Sequence, residues 1–193
     1  MKLFFDTETT GFPKKLPISH PSQPYIVQLA AILTTESGKE INTMNVIINN
    51  GSECIIPDAA KAVHGISTED TYKYGIDAYS ALSLFNEMLV KSDHIIAHNL
   101  DFDLIMINIA MNKVGKEIAE RWKMQTLPIQ YCTMKAATHI VGIPCNHAGG
   151  NKYPKLIEAY QFAFRESFKG AHDAMADCRA MMRLYWWLQD RNK

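Results

Sequence analysis

The sequence predicts a mixed α/β domain with helices on the faces of a sheet. Three observations carry this. Strand-type runs at 2–5, 25–34 and 41–49 follow one another with no helical stripe between them. Beyond residue 57, helical periodicity alternates with a short apolar run at 94–97. Apolar residues make up 47% of the chain and charged residues 21%, the balance of an ordinary globule, and 193 residues suit one domain spanning 1–193.

Each element has a local reason. Lys2 to Phe5 is a short run rich in aromatics, as in a buried strand, and Thr9-Thr10-Gly11 breaks it. Residues 12–24 hold four of the eight prolines and form an irregular loop. The strands 25–34 and 41–49 are separated by a turn at Ser37-Gly38, which makes the first three strands a meander. Pro57 opens a short helix over 57–63. Ala81, Leu82, Leu84, Phe85, Met88 and Leu89 form a helical stripe within 78–90. The run at 94–97 is a buried strand, followed by a helix over 100–112 with Asn99 or Asp101 as its cap. A short strand and a helix around 133–138 are expected within 121–138, then helices at 155–164 and 173–188.

Charge excludes some functions. Twenty basic and twenty acidic side chains cancel, which argues against coating duplex DNA by phosphate neutralisation alone. The zero is uneven: residues 1–112 hold 7 basic and 13 acidic side chains, and residues 113–193 hold 13 basic and 7 acidic. An acidic half beside a basic half suits a metal site next to a polyanion groove. No apolar stretch reaches membrane length, and the apolar start is too short for a signal peptide, so a cytoplasmic location is expected. Cys54, Cys132, Cys145 and Cys178 are scattered and read as reduced thiols.

Three segments carry chemistry. In Asp6-Thr7-Glu8, the two acids share one side of an extended strand, where they repel unless a cation lies between them. Oxygen ligands of this kind suit Mg²⁺ or Mn²⁺. In His98-Asn99-Leu100-Asp101-Phe102-Asp103, a short strand ends and a helix begins, where ligands gather in α/β sheets. Asp101 and Asp103 compete for the site role, because their side chains diverge on a helix. In Gly170-Ala171-His172-Asp173-Ala174-Met175-Ala176-Asp177, Asp173 can cap the last helix and Asp177 lies one turn in. His172 precedes the helix, placed to lean over a neighbouring site, and histidine can take a proton from water near neutral pH.

Together these segments resemble the DEDDh subgroup of the DnaQ-like 3′→5′ exonucleases. The first motif is matched by Phe5-Asp6-Thr7-Glu8-Thr9-Thr10-Gly11, the second by His98-Asn99-x-x-Phe102-Asp103 and the third by His172-x4-Asp177. Val63-His64-Gly65-Ile66 matches a further family segment. The resemblance implies a ribonuclease H-like fold in which parallel strands complete the meander. It selects Asp103 over Asp101 and Asp177 over Asp173. It implies that Asp6, Glu8, Asp103 and Asp177 hold two Mg²⁺ or Mn²⁺ ions, with His172 as general base. It also implies release of 5′-mononucleotides from the 3′ end of single-stranded nucleic acid, most simply DNA. His64 and the backbone at Thr9 would hold the terminal nucleotide, and Asn99 joins the substrate contacts through the second motif. Phe12 or Phe102 is expected to wedge against the last base, given the strength of base–aromatic stacking.

Size and first motif resemble polymerase proofreading subunits and stand-alone phage exonucleases, which implies a role in DNA replication and a DNA polymerase as partner. RNA trimming by the same chemistry, or an inactive nucleic-acid-binding module of the same fold, are the competing readings. Two features depart from the family pattern. Ala59 stands where relatives carry an acid, which leaves Asp58 as its nearest substitute, and the loop at 12–24 is long. Cys132, His139, Cys145 and His147 match no zinc spacing. Tyr185, Trp186 and Trp187 fall on the last helix and read as core and rim.

Overall fold

The computed structural model describes residues 1–124, 126–145 and 149–191. Strands β1 (Lys2–Thr9), β2 (Ile26–Thr34) and β3 (Glu40–Asn49) form the antiparallel meander. Beyond β1 lie β5 (His94–Ala97) and β6 (Ile129–Cys132), both parallel to it, and the two-residue β4 (Ile76–Asp77) pairs in parallel with β3. The sheet order is β4-β3-β2-β1-β5-β6, the mixed ribonuclease H-like arrangement that the sequence implies.

All nine β2 residues are buried, which is why that segment reads as an almost continuous apolar run. One face of the sheet packs Leu3, Phe5, Leu29 and Leu33 against α3 (Ala78–Leu89) and α4 (Leu100–Val114). The other face packs Phe4, Ala30, Ile32 and Ile96 beneath Cys178, Met181 and Tyr185 of α8 (Ala174–Arg191). Tyr185 meets Phe4 and Tyr131 edge-on, at centroid distances of 5.3 and 5.0 Å, so the C-terminal aromatics are core and rim. The remaining helices are α1 (Asp58–His64), α2 (Thr68–Tyr74), α5 (Lys116–Met124), α6 (Thr133–Val141) and α7 (Leu156–Phe164).

Three differences from the sequence reading have local causes. β1 runs on to Thr9, past the apolar segment, because β2 pairs along its whole length and leaves Asp6 and Glu8 as ladder members. α2 buries only Thr71 and so lacks an apolar stripe; a capping box starts it instead, in which the Ser67 hydroxyl accepts from Asp70 N–H at 3.1 Å and the Asp70 carboxylate accepts from Ser67 N–H at 2.8 Å. α5 is polar overall and is held by tertiary packing of Ala119 and Trp122.

The loop at 12–24 is tied down. Gln23 is 2% exposed, accepts from Lys14 N–H at 2.9 Å, and donates to the carbonyls of Lys14 and Leu16 at 3.1 and 3.0 Å. Lys113 of α4 donates to Pro21 O at 2.7 Å and lies over the Tyr25 ring. One buried carboxamide thus supplies the partners that a proline-rich segment cannot find in a helix or sheet. Among the described residues, no helix is long and apolar enough to cross a membrane.

Candidate active site

The C-terminal ends of β1 and β5, which run parallel, open toward one edge of the sheet, where α4 and α8 begin. β1 brings Asp6 and Glu8, α4 brings Asp103 from its first turn, and α8 brings Asp177. His172 stands just before α8 in the left-handed region, with φ 70. That turn folds its N–H onto Asp177 Oδ2 at 3.2 Å and leaves the ring exposed. Single ligand atoms of Glu8, His172 and Asp177 lie within 4.8 Å of one another.

The competing acids are engaged elsewhere. Asp101 is exposed and pairs with Lys135 at 2.6 Å. Asp173 caps α8, accepting from the N–H groups of Met175 and Ala176 at 3.1 and 3.0 Å. Asp103, in contrast, is 2% exposed, and its carboxylate accepts the Thr7 hydroxyl at 2.7 Å. The sequence reading passed over Thr7. Strand alternation was the available signal: the residue between two site acids points to the opposite face, toward α4.

The electrostatics of the cluster are unfavourable when it stands alone. Burial raises the Asp6 pKa well above the carboxylate range, and Asp103, Asp177 and Glu8 add repulsion. Burial, then Asp177 and Asp103, push Glu8 up to about 8. Burial raises Asp103 to about 7 against the opposing hydrogen bonds from Thr7. Asp177 rises to about 6, again through burial, with the His172 N–H opposing. Asp177 Oδ1 is buried and has no hydrogen-bond partner among the described residues. Four crowded oxygen donors and an orphaned acceptor fit divalent cations of the Mg²⁺ or Mn²⁺ type, which would supply the missing charge.

Beside Glu8 runs a groove of about 350 Å³, lined among others by Thr9, Phe12, Ala59, Val63, His64 and Phe102. Phe12 is 83% exposed and meets Phe102 edge-on at 5.9 Å. His64 Nδ1 accepts from Ile66 N–H at 3.1 Å. Burial lowers its pKa, with the Thr9 backbone opposing, and His64 Nε2 makes no full hydrogen bond among the described residues. Four of the five expected substrate contacts thus line one groove. Asn99 does not; it adopts φ 77 at the start of α4, and its carbonyl accepts from Phe102 N–H at 2.9 Å. Ala59 lines the groove and Asp58 does not.

His98 of the second motif lies in the interior, where Nε2 donates to Pro154 O and Nδ1 accepts from the Thr133 hydroxyl, both at 3.0 Å. Burial lowers its pKa to about 4, so it stays neutral and braces the end of β5. A larger depression of about 670 Å³, between the loop at 12–24 and α3, shares no residue with the acid cluster. Of the dismissed zinc candidates, Cys132 and Cys145 are free thiols, and His147 lies outside the described residues.

Comparison with known proteins gives a consistent result. The RNase T exonuclease family profile matches residues 3–185. A sequence search of curated proteins finds no match. Solved structures of exonuclease I are similar in fold. The E. coli enzyme in complex with a dT13 oligonucleotide is 21% identical with a TM-score of 0.75, covering 99% of this chain and 41% of that one. The E. coli dA16 complex gives 20% and 0.74, with 98% and 41% coverage, and a product-bound exonuclease I gives 20% and 0.74, with 99% and 43%. The chain therefore spans about two-fifths of the length of these structures.

Proposed function

The chain belongs to the RNase T exonuclease family, and from that premise we propose that it is a two-metal 3′→5′ exonuclease acting on single-stranded DNA. The observation that carries the reading is the meeting of Glu8, His172 and Asp177 ligand atoms within 4.8 Å, beside the half-buried Asp6 and the buried Asp103. The single-stranded substrate is supported by the oligonucleotide complexes of the fold relatives and by the exposed Phe12 ring at the groove mouth.

Asp6, Glu8, Asp103 and Asp177 would hold the cations. Bound there, divalent ions neutralise phosphate charge and make water more acidic. The residues do the rest. The terminal base enters the groove and stacks against Phe12 or Phe102. His64 and the Thr9 backbone hold its sugar and phosphate. His172, exposed beside the cluster, takes a proton from the attacking water. The new bond forms between water oxygen and the terminal phosphorus. The bond from phosphorus to the 3′ oxygen breaks, that oxygen takes a proton from solvent, and a 5′-mononucleotide leaves. His172 then returns its proton to solvent.

The test is a 5′-labelled single-stranded DNA and an RNA of equal sequence, each incubated with Mg²⁺ and with EDTA. Expected is a ladder shortening from the 3′ end of the DNA, absent in EDTA. Faster shortening of the RNA would move the substrate assignment to RNA, and no shortening of either strand would overturn the proposal.

A further inference from the structure

The first turn of α8 and the residue pair just before it carry Asp177 and His172, and something must fix that turn relative to β1. Gln28 is the group in place to do so. It lies on β2 directly opposite Glu8 in the strand register and is 5% exposed. It is the one polar residue between Ile26 and Ile32. Its carboxamide is fully used: Oε1 accepts from Ala174 N–H at 3.2 Å, and Nε2 donates to Asp173 Oδ2 at 2.9 Å and to Asn45 Oδ1 at 3.0 Å. Asp173 in turn caps the helix with its other oxygen. A continuous line of hydrogen bonds therefore runs from the strand position facing Glu8, through Gln28, to the residues flanking His172 and preceding Asp177.

We infer that Gln28 is a positioning residue for the reaction: it sets the register of the α8 start, and so of His172 and Asp177, against Glu8. The inference rests on the exonuclease reading. The physical basis is directionality. Beyond that turn, the buried contact of α8 with the sheet is Cys178, Met181 and Tyr185 on Phe4, Ala30 and Ile32, and apolar packing has no direction of its own; the ion pair of Arg179 with Glu40 at the start of β3 is solvent-exposed and weakly constraining. Hydrogen bonds do, and a buried carboxamide with all its partners satisfied tolerates little displacement. A shift of about 1 Å at a reacting group can cost on the order of 10²-fold in rate.

The test uses exchanged polarity. Gln28→Glu replaces the donor to Asp173 with a second carboxylate. Asp173→Asn turns the cap oxygen facing residue 28 into a donor while keeping the capping oxygen. The double variant Gln28→Glu/Asp173→Asn restores the pairing and the net charge of the cluster. Rates on single-stranded DNA with Mg²⁺ are measured below the melting temperature of every variant. Expected is a kcat loss of about tenfold or more for Gln28→Glu with KM within about threefold, and recovery to within about threefold of wild type in the double variant. Gln28→Met, which keeps length without hydrogen bonds, should lose kcat similarly and covers the case in which the added carboxylate prevents folding. A folded Gln28→Met with wild-type kcat, or a double variant no faster than Gln28→Glu, would overturn the inference. An inactive wild-type protein would instead overturn the exonuclease reading on which it rests.

Discussion

Asp103 and Asp177 face the same cluster from opposite walls but are held in different ways. Asp103 is enclosed in the first turn of α4, and its carboxylate already has the Thr7 hydroxyl as a partner. Asp177 is less deeply placed; one oxygen takes a long bond from the His172 N–H, and the other has no partner among the described residues. The α4 wall is built complete by the protein alone. The α8 wall is left with an unmet acceptor beside an exposed imidazole, in a backbone turn of positive φ. Such a division suits a site where one wall fixes geometry and the other closes on ligand and water.

The largest effects should come from removing either carboxylate. Asp103→Asn and Asp177→Asn should each lower turnover by about 10³-fold or more, because each removes an anionic ligand for the cations that would offset the developing phosphate charge. They should differ in stability without metal. Burial holds Asp103 at the higher pKa, so Asp103→Asn should raise the metal-free melting temperature at pH 8 more than Asp177→Asn does. Equal shifts would erase the contrast between the walls.

His172→Ala should cut kcat by about 10²- to 10⁴-fold while the melting-temperature gain from Mn²⁺ persists. Loss of that gain would make His172 a metal ligand; a near wild-type kcat would remove it from proton transfer.

Stability should depend on pH in one direction. The folded-state pKa values of Glu8, Asp103 and Asp177 are raised to about 8, 7 and 6. A raised carboxylate stabilises the fold while protonated and loses that contribution as pH climbs through its folded value. Metal-free protein should therefore melt at progressively lower temperature between pH 6 and 8, and saturating Mn²⁺ should flatten the trend. A metal-free melting temperature that rises over this range would contradict the assignment.

Thr7→Val should produce a smaller loss, about tenfold in kcat, by freeing the Asp103 carboxylate to rotate. The smallest effect should be on binding. Of the basic residues that precede His172 in the C-terminal half, Lys152, Lys155, Arg165 and Lys169 are the candidates for phosphate contact; Lys152 is paired with Glu158 at 2.7 Å, and Arg165 and Lys169 stand nearest His172 in sequence among the other three. Neutralising both should raise KM and flatten its salt dependence with kcat little changed.

Much of this was legible in the sequence, for physical reasons that also explain the gaps. The strand runs at 2–5, 25–34 and 94–97 announce themselves because burial on both faces demands apolar residues, while the extension of the first to Thr9 rests on pairing with β2. The candidate site acids stand out because a cation site would require carboxylates at set intervals in apolar company, as with Asp103 between Phe102 and Leu104. The choice against Asp101 and Asp173 needed the family motif, since a first-turn acid and a cap acid are both ordinary, and the structure shows Asp101 paired with Lys135 and Asp173 capping α8. For Thr7 and Gln28 the sequence shows at most a direction, as strand alternation does for Thr7; their partners are met only after strand register and helix docking bring residues 7 and 103, or 28 and 173, together. A lone glutamine within Ile26-Val27-Gln28-Leu29 was the visible trace of the second. α5 was hidden by its polarity, and α2 by the lack of an apolar stripe.

The assignment of a cation site to Asp6, Glu8, Asp103 and Asp177 is tested most directly by calorimetric titration of the metal-free protein with Mn²⁺ at pH 7, in buffers of different ionisation enthalpy. At that pH Glu8, pushed up to about 8, is mostly protonated and Asp103, at about 7, is partly so, and metal must displace those protons. The predicted result is saturable binding with proton release, both abolished or sharply reduced in Asp103→Asn and Asp177→Asn. Binding without proton release, or binding that survives both substitutions unchanged, would contradict it.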